Sequence, residues 1–85
     1  MKQFEYVITD PIGIHARPAG LLVKEAKKHA SKIMLQKGEK STDATRLMSV
    51  MGLGIKCGDT LIVTVEGTDE EAAAEAMQAF FTANL

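Results

Sequence analysis

Phe4, Tyr6 and Ile8 alternate with Gln3, Glu5 and Val7 at the start of the chain. A period of two predicts a strand with one buried face. Asp10-Pro11 breaks the run and Gly13 continues the loop. From Ala16 the period lengthens. Ala19, Leu22, Val23, Ala26 and Ala30 recur at helical spacing, while Lys24, Lys27 and Lys28 take the other side. Pro18 fits a helix only in the first turn, where a missing N–H costs nothing, so the helix is expected to begin close to residue 16. His15 therefore falls at or beside its N-cap.

Lys32 to Lys37 and Lys40 to Asp43 flank Gly38-Glu39, which predicts a hairpin. Thr45 to Gly52 reads as one or two helical turns with Leu47, Met48 and Met51 apolar, ended by Gly52 and Gly54. Thr60 to Glu66 is rich in β-branched residues and reads as a strand. After Gly67, the run T-D-E-E at 68 to 71 predicts a capping box, with Thr68 as N-cap and Glu71 reaching back. Ala73, Ala76, Met77 and Phe80 then form the expected buried stripe of a last helix. The order β-α-β-β-α-β-α predicts an α+β fold: an open-faced sandwich, its four-stranded antiparallel sheet covered on one face by helices.

Composition narrows what such a fold could do. Eighty-five residues make one domain, expected over 1–85, and 46% apolar residues suffice for one modest core. Cys57 is the only cysteine, so no intramolecular disulfide forms and a reducing, cytoplasmic setting is expected. Cys57, His15 and His29 lack metal-ligand spacing, so neither a metal nor a cofactor is expected. Net charge is −1 with both signs mixed along the chain, which argues against nucleic acid as the partner. No apolar run approaches the ~18 residues of a membrane span. The opening MKQFEYVITD alternates instead of forming a signal peptide, so no membrane insertion is expected.

The chemistry concentrates in G-I-H-A-R-P-A-G, residues 13 to 20. A helix N-terminus carries roughly half a positive charge and presents unpaired N–H groups, which makes it a ready anion site. That potential disfavours imidazolium at His15, and a neutral imidazole has a free ring nitrogen that can act as a nucleophile. If that nitrogen accepts a phosphoryl group, the N–H groups of Ala16 and Arg17 are placed for its oxygens, and the Arg17 side chain can add charge-assisted hydrogen bonds. Fixed dipoles and a cation converging on one anionic group is how proteins commonly assist phosphoryl transfer. The bland alternative is a surface histidine or plain cap, which needs neither Gly13, Pro18 nor Arg17.

I-H-A-R-P-A, residues 14 to 19, closely resembles the active-site motif of the HPr family, the histidine-containing phosphocarriers of the bacterial phosphoenolpyruvate-dependent sugar phosphotransferase system. The chain length, the position of the histidine, the short apolar helix around Leu47 to Met51 and L-G-I at 53 to 55 extend the resemblance over essentially the whole chain. The resemblance implies a carrier without independent turnover. Enzyme I, charged by phosphoenolpyruvate, would load His15 on its δ1 nitrogen, Arg17 would stabilise the phosphate, and the IIA domain of a sugar permease would take it. It also implies that both partners dock on one face, here Gly20, Lys24, Lys27, Leu47, Met48 and Met51. The residues agree with that surface: a helix so short cannot bury all three apolar side chains, methionine adapts to several partners, and the lysines steer acidic ones. Core packing is the alternative for Met48 or Met51 taken singly. A monomer is expected, since two successive partners need a free face.

Two positions depart from the family pattern. Aligned through Leu53-Gly54-Ile55, Arg46 occupies the place where many Gram-positive HPr proteins carry a serine phosphorylated by a dedicated kinase. That switch is therefore expected to be absent, and Thr45 and Ser49 are out of register as substitutes. Ile12 stands where a small polar residue is frequent, so phosphate stabilisation should fall on Arg17 and the backbone. Cys57 reads as an ordinary small residue, and His29 as a solvated cation favoured by the negative helix end. Other readings are a paralogue serving a regulatory or nitrogen-related phosphotransferase branch, and a non-catalytic protein-binding regulator. The nucleophile at position 15 argues against the last.

Overall fold

Strand alternation decides which face of the sheet is covered, and the register shows how. A computed structural model describes residues 1–85. In chain order the elements are β1 (Lys2–Val7), α1 (Ala16–Lys27), β2 (Lys32–Lys37), β3 (Lys40–Asp43), α2 (Leu47–Gly52), β4 (Thr60–Glu66) and α3 (Glu70–Asn84). The strands form one antiparallel sheet in the order β1-β4-β2-β3. Phe4 lies opposite Val63 and Tyr6 opposite Leu61, while Ile33 and Leu35 on β2 face Val65 and Val63. Side chains alternate along a strand, so these apolar residues share one face and Gln3, Glu5 and Gln36 lie on the other. The helices cover the apolar face: α3 lies over β1 and β4, α2 beside β3, and α1 packs against both helices. This is the open-faced sandwich the hydrophobic pattern implies. No helix is long and apolar enough to cross a membrane.

The core centres on α3. Phe81 is fully buried and meets Phe4 and Tyr6 edge-to-face, with ring centroids 5.9 and 5.4 Å away. Such pairs contribute about 0.5–1.5 kcal/mol each beyond simple burial. The buried stripe is Ala73, Ala74, Met77 and Phe81, whereas Ala76 and Phe80 are half-buried. Ala73 and Met77 are buried as expected, while Ala74 and Phe81 replace Ala76 and Phe80, because the two β1 aromatics draw Phe81 inward. Pro18, Ala19, Leu22, Val23 and Ala26 are the buried face of α1; Ala30 lies beyond the helix end and is exposed.

Three local expectations are corrected. The short helix begins at Leu47, not Thr45, because the Asp43 carboxylate accepts the Thr45 N–H (2.9 Å) and hydroxyl (2.6 Å) and holds that residue in a turn. Asp69, not Thr68, is the N-cap of α3, and no side-chain cap bond forms. Its carboxylate crosses instead to the end of α1, accepting the N–H groups of Ala30 (3.0 Å) and Ser31 (2.9 Å) and the Ser31 hydroxyl. Glu71 turns to Lys2, 3.7 Å away, and Glu70 accepts the Gly67 N–H. Finally, His29 is not a freely solvated side chain but a largely covered one. Its side chain is 16% exposed, with Nε2 2.9 Å from Glu25 Oε2 and Nδ1 3.9 Å from Asp69 Oδ2.

Candidate functional site

The loop before α1 is built to hold residue 15 in one place. Asp10 Oδ1 accepts the Ile12 N–H (2.9 Å) and the Asp10 carbonyl accepts the Gly13 N–H (2.9 Å), closing a tight turn. The Leu85 carbonyl braces that turn from behind, accepting the N–H groups of Thr9 (2.6 Å) and Asp10 (2.8 Å) and the Thr9 hydroxyl (3.0 Å). Gly13 has φ +82° and lies against the loop before β4; a Cβ there would sit 2.5 Å from the Ile55 carbonyl oxygen and 2.7 Å from Lys56 Cα. Only glycine fits both the angle and the space. Ile14 is then buried and donates its N–H to the Ile55 carbonyl (3.1 Å).

His15 follows as the N-cap of α1, with extended backbone (φ −119°, ψ −169°) and no hydrogen bond from its ring to the helix. Its carbonyl accepts the Ala19 N–H (2.9 Å), starting the helix, and Pro18 supplies no donor. The N–H groups of Ala16 and Arg17 have no acceptor within the chain, as expected of a first turn. The Arg17 side chain is exposed and takes part in no ion pair. The half-exposed His15 and the exposed Arg17 line one shallow depression of about 300 Å3, together with Asp10, Pro18, Leu21 and Asn84. A ring free of internal hydrogen bonds therefore adjoins two unpaired N–H groups and an unpaired guanidinium. Such a set can form a nitrogen–phosphorus bond and receive the phosphoryl oxygens.

The remaining candidates lie on α1 and the adjoining α2. Gly20 is half-buried, and nothing lies within 4 Å of where its Cβ would be. Lys24 and Lys27 are exposed in the last turns of α1, where cations suit the helix dipole. Leu47, Met48 and Met51 are 40%, 78% and 38% exposed, and Val50 alone anchors α2 in the core. That exposure excludes core packing for Met48. Arg46 is the exposed N-cap of α2, its carbonyl accepting the Val50 N–H (2.9 Å). Leu21, 42% exposed, and Ile12, 70% exposed, are apolar surface residues that sequence reasoning passed over or read only as a lost hydrogen bond. Leu21 was within reach, because positions 17, 20, 21 and 24 share a helical face. Asn84 was not, since only the folded chain brings α3 beside the first loop.

Known proteins similar to this chain point to one family. The family model described as "PTS HPr component phosphorylation site" matches residues 2–83. A phosphocarrier protein HPr of Lysinibacillus sphaericus is 42% identical over 82 residues, covering 96% of this chain and 93% of the relative. A solved histidine-containing phosphocarrier protein of Mycoplasma superposes with a TM-score of 0.93 at 36% identity, covering 99% of this chain and 98% of the other. An HPr dimer from Thermoanaerobacter tengcongensis superposes at 0.77, also 36% identical, covering 98% and 95%. The chain belongs to the HPr family, the phosphocarriers of the phosphotransferase system.

Proposed function

We propose that the whole chain, residues 1–85, is one phosphocarrier domain. It accepts a phosphoryl group from phosphoenolpyruvate-charged Enzyme I on His15 Nδ1 and passes it to the IIA domain of a sugar permease. The observation that carries this reading is the N-cap position of His15, its ring unbonded beside the unpaired N–H groups of Ala16 and Arg17. In the loading step the ring nitrogen's lone pair forms the N–P bond while the donor's bond to phosphorus breaks. The donor keeps that electron pair. The two N–H groups and the Arg17 guanidinium receive the charge on the oxygens. Because those donors are already oriented, little reorganisation accompanies arrival or departure of the group.

Gly20, Lys24, Lys27, Leu47, Met48 and Met51 form the docking face for both partners, with Leu21 extending it to the depression. The bare Gly20 lets a partner approach α1 closely, the exposed methionine and leucine side chains supply apolar contact, and the lysines attract acidic surfaces. Because loading and unloading use the same face in turn, the working form is a cytoplasmic monomer. With arginine at position 46 there is no regulatory phosphoserine there, and an HPr kinase with ATP leaves that position unmodified.

The test uses the full chain with Enzyme I and labelled phosphoenolpyruvate, followed by a IIA domain. Acid-labile label is expected on the peptide containing His15 and is chased onto IIA. Label that survives in His15→Ala, or label that no IIA domain can remove, contradicts the proposal.

A further inference from the structure

We propose that the negative charge of Asp10 sets how readily the phosphoryl group leaves His15, an inference that rests on the carrier reading above. Asp10 is the one carboxylate lining the depression shared by His15 and Arg17. It is firmly placed. Its N–H donates to the Leu85 carbonyl (2.8 Å), its carbonyl accepts the Gly13 N–H (2.9 Å), and Oδ1 accepts the Ile12 N–H (2.9 Å). The second carboxylate oxygen has no partner, and Asp10 makes no ion pair.

The turn does not require the charge. Asparagine makes the same side-chain-to-backbone turn with a neutral amide. The charge therefore has a separate consequence, felt when a second anion enters the depression. A phosphoryl group brings close to two negative charges. Arg17 and the N–H groups attract it while Asp10 opposes it, so the bound group is held less tightly than the donors alone would hold it. A carrier needs this balance, because an anion site without opposition retains its cargo. Ile12 can contribute nothing polar to the balance, being an exposed aliphatic side chain. In loading, the lone pair of the His15 nitrogen forms the N–P bond as the donor's bond to phosphorus breaks. In unloading, the N–P bond breaks, its electron pair returns to the ring, and the acceptor's nucleophile bonds to phosphorus. Asp10 bonds to phosphorus in neither step and takes no proton.

The experiment measures the equilibrium among the chain, phosphoenolpyruvate and pyruvate with catalytic Enzyme I, for the parent and Asp10→Asn. The variant should favour the phosphorylated form by about three- to tenfold at low ionic strength, the difference shrinking as salt screens the pair. Its urea midpoint should match the parent's. Asp10→Ser, whose hydroxyl also supports the turn, should shift the equilibrium the same way if the amide variant folds poorly. Equal equilibrium constants for parent and neutral variants, or a shift away from the phosphorylated form, overturn the role of Asp10 alone. Absence of acid-labile phosphate from every protein overturns the carrier reading and this inference with it.

Discussion

Replacing Gly13 with alanine tests whether the loop before α1 is held by its backbone. At φ +82° an L side chain costs about 1–2 kcal/mol. The added Cβ would also lie 2.5 Å from the Ile55 carbonyl oxygen and 2.7 Å from Lys56 Cα, closer than real Cβ atoms come to such neighbours. Relief requires the 13–14 segment to move away from the loop before β4, which weakens the 3.1 Å hydrogen bond from Ile14 to Ile55. That bond is worth about 1 kcal/mol. Together these give a loss of about 2–3 kcal/mol, a large share of the ~5–15 kcal/mol typical of a small domain. Urea denaturation of the parent and Gly13→Ala provides the measurement, with an unchanged m-value showing that stability alone has altered. Gly20→Ala is the control: it lies inside α1 with open space around its Cβ, and it should gain up to about 1 kcal/mol from helix propensity. A Gly13→Ala protein as stable as the parent would refute the reasoning, as would equal destabilisation by the two substitutions.

Phe81→Ala should cost about 3–5 kcal/mol in urea denaturation, and Phe80→Ala much less, because only Phe81 is fully buried; a reversed order would mean α3 is rotated. Five carboxyl groups sit below their ordinary range: Asp69 through the Ser31 hydroxyl, Asp43 through the Thr45 hydroxyl, Glu25 through His29, Asp59 through the Lys56 N–H and Glu70 through the Met1 ammonium. In each case the unfolded chain binds protons first, so the stabilisation is complete above the unfolded value near ~4 and is lost as pH falls through the folded one. Melting temperature should therefore fall on acidification below that value, and less steeply in Asp69→Asn; an equally steep fall in the variant contradicts the assignment. Met48→Ala should leave stability unchanged, because the side chain is 78% exposed, yet raise the KM of Enzyme I for the carrier several-fold. An unchanged KM would remove Met48 from the docking face.

What could be read in advance was what local chemistry decides. Pro18 pins the start of α1 to within the first turn, and with it the place of His15; the β-branched run from Thr60 to Glu66 forms β4 with those bounds. What could not be read depends on distant partners. The T-D-E-E run has the spacing of a capping box, but Ser31, brought in by the fold, captures the Asp69 carboxylate and the cap moves one residue along. Phe80 and Phe81 are equivalent to helical periodicity, and Phe4 and Tyr6 on β1 decide between them. In the sequence His29 stands as a free helix-end side chain, and only the fold sets Glu25 and Asp69 on either side of it. At the candidate site the same division holds. His15 and Arg17 are legible because they are neighbours in the chain, whereas Asp10 and Asn84 join them only through the turn at Gly13 and the end of α3.

The central claim is that His15 holds a transient phosphoryl group against the first N–H groups of α1. Nuclear magnetic resonance of the 15N-labelled chain, before and after phosphorylation by Enzyme I, tests it directly. The phosphorus should couple to Nδ1 of His15, and the amide protons of Ala16 and Arg17 should move downfield as they gain an acceptor. Phosphorus on His29, or unmoved amides at 16 and 17 in a chain phosphorylated on His15, would contradict it.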